Sequence, residues 1–153
     1  MPKQLIDFQV FPKHIGTWSG YWIKMDANAQ EIERFEAEIT QKIVDNQWLQ
    51  TNTYHYADGR IVTNSFVGKV ISNDEIEIKA LDVPTWENFT TIAREHSDSI
   101  IIFNVWKKAT GQLVATETIN LINNENKCRT IQSFTEDGKL ISLMLIVEKR
   151  ISS

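Results

Sequence analysis

A chain of 153 residues with 42% hydrophobic and 24% charged residues has the length at which one compact domain builds its own core. The net charge of −4 comes with basic residues scattered along the chain, which argues against nucleic acid as a partner and reads as a solubility feature. No apolar run approaches the roughly eighteen residues that cross a bilayer, the longest being Leu143 to Val147, so no membrane span is expected.

The opening Met1-Pro2-Lys3-Gln4 lacks the pattern of a secretory signal, and the lone Cys128 has no intrachain partner. Both fit a reducing, cytoplasmic setting. Leu5, Ile6, Phe8, Val10 and Phe11 form a short apolar segment, suited to a short helix or a plug across the end of a larger structure. From there, turn signals recur roughly every ten to fourteen residues, separated by stretches rich in Val, Ile, Thr and aromatics.

Strands are expected over roughly 16–25, 33–44, 47–56, 60–70, 75–81, 88–95, 99–107, 112–121, 127–135 and 139–150. Two of the breaks, Asp58-Gly59 and Asp137-Gly138, carry the Asp-Gly pair that tolerates the positive φ of hairpin turns. Residues 29–44 read two ways. Ile32, Phe35, Ile39 and Ile43 fall at helical spacing, whereas Phe35, Ala37, Ile39, Gln41 and Ile43 alternate with Arg34, Glu36, Glu38, Thr40 and Lys42, as on a strand. The strand is favoured because an unbroken meander needs it. With no linker or repeat dividing the chain, residues 1–153 are expected to form a single all-β domain. Its expected form is an antiparallel up-and-down barrel of about eight to ten strands, with a sandwich as the alternative.

The third strand places Trp48, Gln50, Asn52, Tyr54 and Tyr56 on one face and Leu49, Thr51, Thr53 and His55 on the other. If the first face points inward, it gives a cavity an aromatic wall with amides that could orient a polar end of a ligand. The alternative is an outer face with solvated amides. On the inward reading, Phe35 and Ile39 extend that wall on the neighbouring strand. Phe66, Phe103 and Trp106 are further candidates, of which Phe103 and Trp106 have opposite parity, so only one of them can face in.

Gly16-Thr17-Trp18-Ser19-Gly20-Tyr21 opens the first strand. Downstream stand Trp48-Leu49-Gln50-Thr51-Asn52-Thr53-Tyr54, Asp58-Gly59-Arg60, Thr63 and Phe66-Val67-Gly68. Together these resemble a cyanobacterial family of lipocalin-like domains within the calycin superfamily, uncharacterised in function and distantly similar to the bilin lyases of phycobiliproteins. The match is best over roughly residues 14–70. The resemblance implies a lipocalin-like barrel in which Gly16 lets the chain bend and Trp18 closes the floor, with a basic residue of the last strand lying against the ring. Lys149 and Arg150 are the candidates, and Arg150 is chosen because a planar guanidinium stacks better.

His14, His55 and His96 show no metal spacing, so no metal site is expected; His55 would be the first to test as a haem ligand. Cys128 reads as an inert thiol. Glu117 and Arg94 could act as acid, base or carboxylate-binding groups if they face inward. No phosphate loop or nucleophile elbow is present in the sequence. The leading expectation is a binding or carrier protein for a small hydrophobic or amphipathic molecule. A bilin lyase or chaperone is the alternative that the resemblance implies, with Arg34, Arg60 or Arg94 near the mouth to meet propionates. A small cyclase or isomerase acting on a polyene or polyketide is the third. The ligand, any catalysed reaction, any cofactor and a homodimeric state stay open.

Overall fold

The computed structural model describes residues 2–153. Ten strands follow one another: β1 (Gly16–Asp26), β2 (Glu31–Val44), β3 (Gln47–His55), β4 (Ile61–Val70), β5 (Glu75–Ala80), β6 (Phe89–His96), β7 (Ile100–Lys107), β8 (Leu113–Asn123), β9 (Asn126–Phe134) and β10 (Leu140–Ser152). Each pairs antiparallel with its chain neighbour, and β1 pairs with β10 to close the barrel. Closure leaves no free edge. The meander expected from the turns is therefore the fold, and the sandwich is excluded. No helix among the described residues is long and apolar enough to cross a membrane.

The ambiguous segment is strand, because its alternation matches a barrel wall. Phe35, Ala37, Ile39 and Gln41 are buried while Arg34, Glu36, Glu38 and Lys42 are exposed, a contrast of period two that a helix could not satisfy. Hairpin chemistry sets the register next to it: Asp45 and Asn46 adopt φ of 51° and 61°, the paired left-handed conformation of a two-residue turn.

The N-terminal segment is the plug. Two 3₁₀ turns, Leu5–Asp7 and Phe11–His14, lower Leu5, Phe8, Val10 and Phe11 into one end of the barrel against Trp48, Ile76, Ile78, Ala93, Ile101 and Ile119. So irregular a backbone needs partners for its buried N–H groups. The Glu95 carboxylate supplies three, accepting from Gln9, Val10 and Phe11 at 2.7, 2.6 and 3.1 Å. Asn46 Oδ1 accepts a fourth from Leu5 at 2.6 Å.

Trp18 sits at the same end, fully buried, its indole N–H donating to the His14 carbonyl at 2.9 Å. Arg150 Cζ lies 4.3 Å from the ring centroid, the contact that the resemblance implied. Gly16 is held at φ 133°, where a Cβ would run into the Ser152 carbonyl oxygen. Only glycine fits that bend.

Candidate functional site

Above the plug lies a cavity of about 700 Å³. Its mouth is at the opposite end, bordered by the β5–β6 loop with Val83, Thr85 and Trp86, by Lys107 at the end of β7, and by Phe134 and Glu136 at the end of β9. Pro84 nucleates a 3₁₀ turn, Pro84–Asn88, which positions Trp86 so that its indole N–H donates to the Ile78 carbonyl at 3.2 Å. The ring packs edge-on against Phe66, 5.5 Å between centroids.

The third strand faces inward along its Trp48 side. Gln50, Asn52, Tyr54, Phe66 and Phe103 line the cavity. Phe35, Ile39 and Trp48 face the interior too, but they are buried in packing below and beside the cavity: Trp48 stacks edge-on with Phe11 of the plug at 5.5 Å, and Phe35 and Ile39 join Trp22 and Ile146. Trp106 is not among the lining residues. Its parity is opposite to that of Phe103 and Val105, which are, so Phe103 is the member of the pair that faces in.

A polar strip climbs this wall. Lys127 Nζ donates to Gln41 Oε1 at 3.0 Å, Gln41 Nε2 donates to Gln50 Oε1 at 3.0 Å, Gln50 Nε2 donates to Asn52 Oδ1 at 2.9 Å, and Asn52 Nδ2 donates to Tyr54 Oη at 2.8 Å. Trp48 Nε1 also donates to Gln50 Oε1 at 3.1 Å. Burial raises the Tyr54 phenol above its ordinary pKa, with the Asn52 hydrogen bond acting in the opposite sense, so the hydroxyl keeps its proton.

Of the buried charges along this wall, the sequence offered Glu117 alone, and Arg129, Glu148 and Lys127 were missed. Arg129 Nε and Nη2 both donate to Glu117 Oε2, at 2.8 and 2.6 Å, and Nη1 approaches Glu148 Oε1 at 3.4 Å. The guanidinium lies 5.1 Å from the Trp22 ring centroid. Burial works against its charge, but the two carboxylates outweigh that and raise its pKa. Trp22, Arg129 and Glu117 all line the cavity. Of the two acid–base candidates, Glu117 therefore faces in, whereas Arg94 pairs with Asp74 outside at 3.0 Å. Arg34 and Arg60 are likewise exposed, held by Glu31 and Asp58 at 2.7 and 2.8 Å. None of the three arginines proposed for propionates reaches the cavity.

The histidines part company as well. His14 is buried in the floor, 3.3 Å from Lys127 Nζ, and burial followed by the Lys127 charge lowers its pKa well below the usual value. His55 is exposed, with the outward parity of Thr53. Cys128 is half-buried and shares its register with Val147 and Asn120; its parity is opposite to that of Lys127 and Arg129, which places it on the outer face.

Lys127 is buried over the Trp18 ring at 4.2 Å. Burial, opposed by Glu148 and reinforced by Arg129 and Arg150, lowers its pKa from 10.5 to about 7. Between those values the folded chain binds fewer protons here than the unfolded chain, so stability is to rise with pH across that window and to be lost progressively as the pH falls back toward 7. Urea midpoints taken from pH 7 to 10 test this. The slope should flatten in Lys127→Met, and an unchanged slope would mean that the amine is solvated.

Residues 7–153 match the profile of the family described as "Domain of unknown function (DUF3598), N-terminal". A solved structure of a protein of unknown function from the DUF3598 family of Nostoc punctiforme is similar, with a TM-score of 0.67 at 17% identity over 92% of this chain and 49% of that one. This chain thus spans about half the length of that relative. The S-type phycobiliprotein lyase of Guillardia theta gives a TM-score of 0.65 at 12% identity, covering 94% of this chain and 91% of the lyase. At such identities the likeness is one of fold. No curated protein matches the chain in sequence.

Proposed function

The chain belongs to the DUF3598 N-terminal domain family, and from that premise we propose that it holds a small, largely apolar molecule in the barrel cavity. The observation that carries this reading is the cavity itself. Its volume of about 700 Å³ falls in the range of small-molecule sites, roughly 300–1,000 Å³. The surface it offers is mostly aromatic and aliphatic, with polar groups in the Gln50–Tyr54 strip, the Glu117–Arg129 pair, the Lys107–Glu136 pair at the mouth, and a few hydroxyls and amides. One end is sealed by the plug, so a ligand enters by the mouth.

A naphthalene-type apolar fluorophore titrated into the protein should bind saturably and quench tryptophan emission. Trp22 and Trp86 line the cavity, whereas Trp48 lies in the floor, so quenching should fall in Trp22→Phe and Trp86→Phe and persist in Trp48→Phe. Ala115 also lines the cavity, opposite Val105 in register. Ala115→Phe should fill part of the space and weaken binding by at least roughly tenfold, about 1.4 kcal/mol, with the circular dichroism spectrum unchanged. Saturable binding that ignores Ala115→Phe would place the probe on the surface and sink the proposal.

A bilin lyase or chaperone is the second reading, supported by the fold shared with the Guillardia lyase over most of both chains. A bilin's propionates need cations. The cavity offers Lys107 at its mouth, itself paired with Glu136 at 2.9 Å, and Arg129, already held by Glu117 and Glu148. Titration with a bilin in the same assay separates the readings: tight binding that weakens in Lys107→Ala favours the second.

A further inference from the structure

Among the described residues, Trp22 and Tyr54 of the cavity wall each keep a hydrogen-bond donor without an acceptor. Trp22 is 5% exposed and lines the cavity, and its Nε1 has no partner among the described residues. An indole N–H can only donate, so a buried one left unpaired costs free energy; its nitrogen has no surface open to the lumen, so a ligand oxygen recovers that cost by displacing the side chains that cover it. Tyr54 stands beside it, ring centroids 5.3 Å apart.

The direction of the polar strip decides what Tyr54 can do. Trp48 Nε1 can only donate, so Gln50 must turn its carbonyl oxygen toward Trp48 and Gln41 and its amide nitrogen toward Asn52. Asn52 then accepts on Oδ1 and donates from Nδ2 to Tyr54 Oη. Tyr54 is thereby held as an acceptor within the protein, and its own O–H meets no acceptor among the described residues. Thr91, whose buried hydroxyl also lacks a partner, can donate or accept and does not discriminate.

Charge narrows the class of oxygen. Glu117 lines the same cavity, and Glu148 is buried behind it; Arg129, the nearby cation, is shared between them. A ligand carboxylate placed at Trp22 and Tyr54 would meet Glu117 with no free cation to offset it. We propose that Trp22 and Tyr54 form a donor pair selecting ligands that carry a neutral carbonyl oxygen on an otherwise apolar frame. This rests on the cavity-binding reading and adds the chemical class of the ligand.

Three planar probes of one frame test it: fluorene, fluorenone and fluorenecarboxylate, each titrated calorimetrically into the wild-type chain, Tyr54→Phe and Trp22→Phe. Fluorenone should bind wild type more tightly than fluorene by about two- to tenfold, the range for a net hydrogen bond, and fluorenecarboxylate most weakly. Tyr54→Phe should bring the fluorenone-to-fluorene ratio toward one while leaving fluorene binding as it was. Because Trp22→Phe removes packing as well, the infrared carbonyl stretch of bound fluorenone serves as a second readout. It should lie at lower frequency in wild type than in Tyr54→Phe. Equal binding of fluorenone and fluorene, with no carbonyl shift, overturns the donor pair while leaving the cavity reading intact, and so does preference for the carboxylate. If none of the three binds, the cavity reading itself fails and takes the donor pair with it.

Discussion

Arg129→Met is expected to destabilise the barrel by about 3–5 kcal/mol, read as a lower guanidinium chloride midpoint with little change in slope. Arg129 is buried, and so is Glu148, one of whose carboxylate oxygens has no partner among the described residues. Methionine fills most of the space but removes the charge that makes Glu117 and Glu148 tolerable side by side. An ion cluster is a poor source of net stability, yet removing one member strands the others. The triple variant Arg129→Met, Glu117→Gln, Glu148→Gln should therefore recover a large part of the loss. A drop of under about 1 kcal/mol for Arg129→Met, the level of an exposed pair, would show that water reaches these groups.

Trp18→Ala should be as damaging, at about 3–5 kcal/mol. The ring is fully buried and clasped by two basic side chains, Lys127 at 4.2 Å and Arg150 at 4.3 Å from its centroid. Arg150 does more than stack: its guanidinium donates to the carbonyls of Asn124, Lys13 and Ile15, tying the last strand to the segment that precedes the first. Arg150→Ala is expected to cost on the order of 1 kcal/mol through the ring contact, and more through those carbonyls. A double-mutant cycle between Trp18 and Arg150 should show coupling above roughly 0.5 kcal/mol. Simple additivity would mean that the stacking contributes nothing.

The strands were legible because turn chemistry and period-two alternation are local. Asp58-Gly59 and Asp137-Gly138 mark turns in both sequence and structure, and their glycines take φ of 91° and 84°. The inward face of β3 followed from parity, but parity gives a direction and not a height. Trp48 points inward and yet belongs to the floor, where the plug meets it. Trp22 was overlooked although it shares the parity of Trp18 four residues earlier. Trp86 lay after Pro84 in what reads as a loop, and only the 3₁₀ turn delivers it to the mouth.

The buried charges were beyond local reading. On β9, Lys127 and Arg129 alternate with Cys128 and Thr130, and hydrophobicity alone would turn the charged pair to solvent. What turns it inward is the pairing of distant strands: β9 sits between β8 and β10, with Glu117 on one side and Glu148 on the other. Register across three strands carries no signature in any one of them. Gln41 is hidden in the same way, since an amide on a strand reads as exposed until Lys127 and Gln50 are found beside it.

The β1–β10 seam joins Trp18 to Arg150 and Gly20 to Glu148, residues separated by almost the whole chain. Loop-closure entropy must be overcome before that pairing is rewarded, and folds dominated by such contacts acquire their native state in milliseconds to seconds rather than microseconds. During synthesis the barrel cannot shut until β10 has left the ribosome. Until then β1 carries an open edge, and Trp18 lacks the guanidinium of Arg150. Until the seam forms, the chain is a curled sheet with an adhesive rim, and aggregation is to be sought in that interval rather than in the finished barrel.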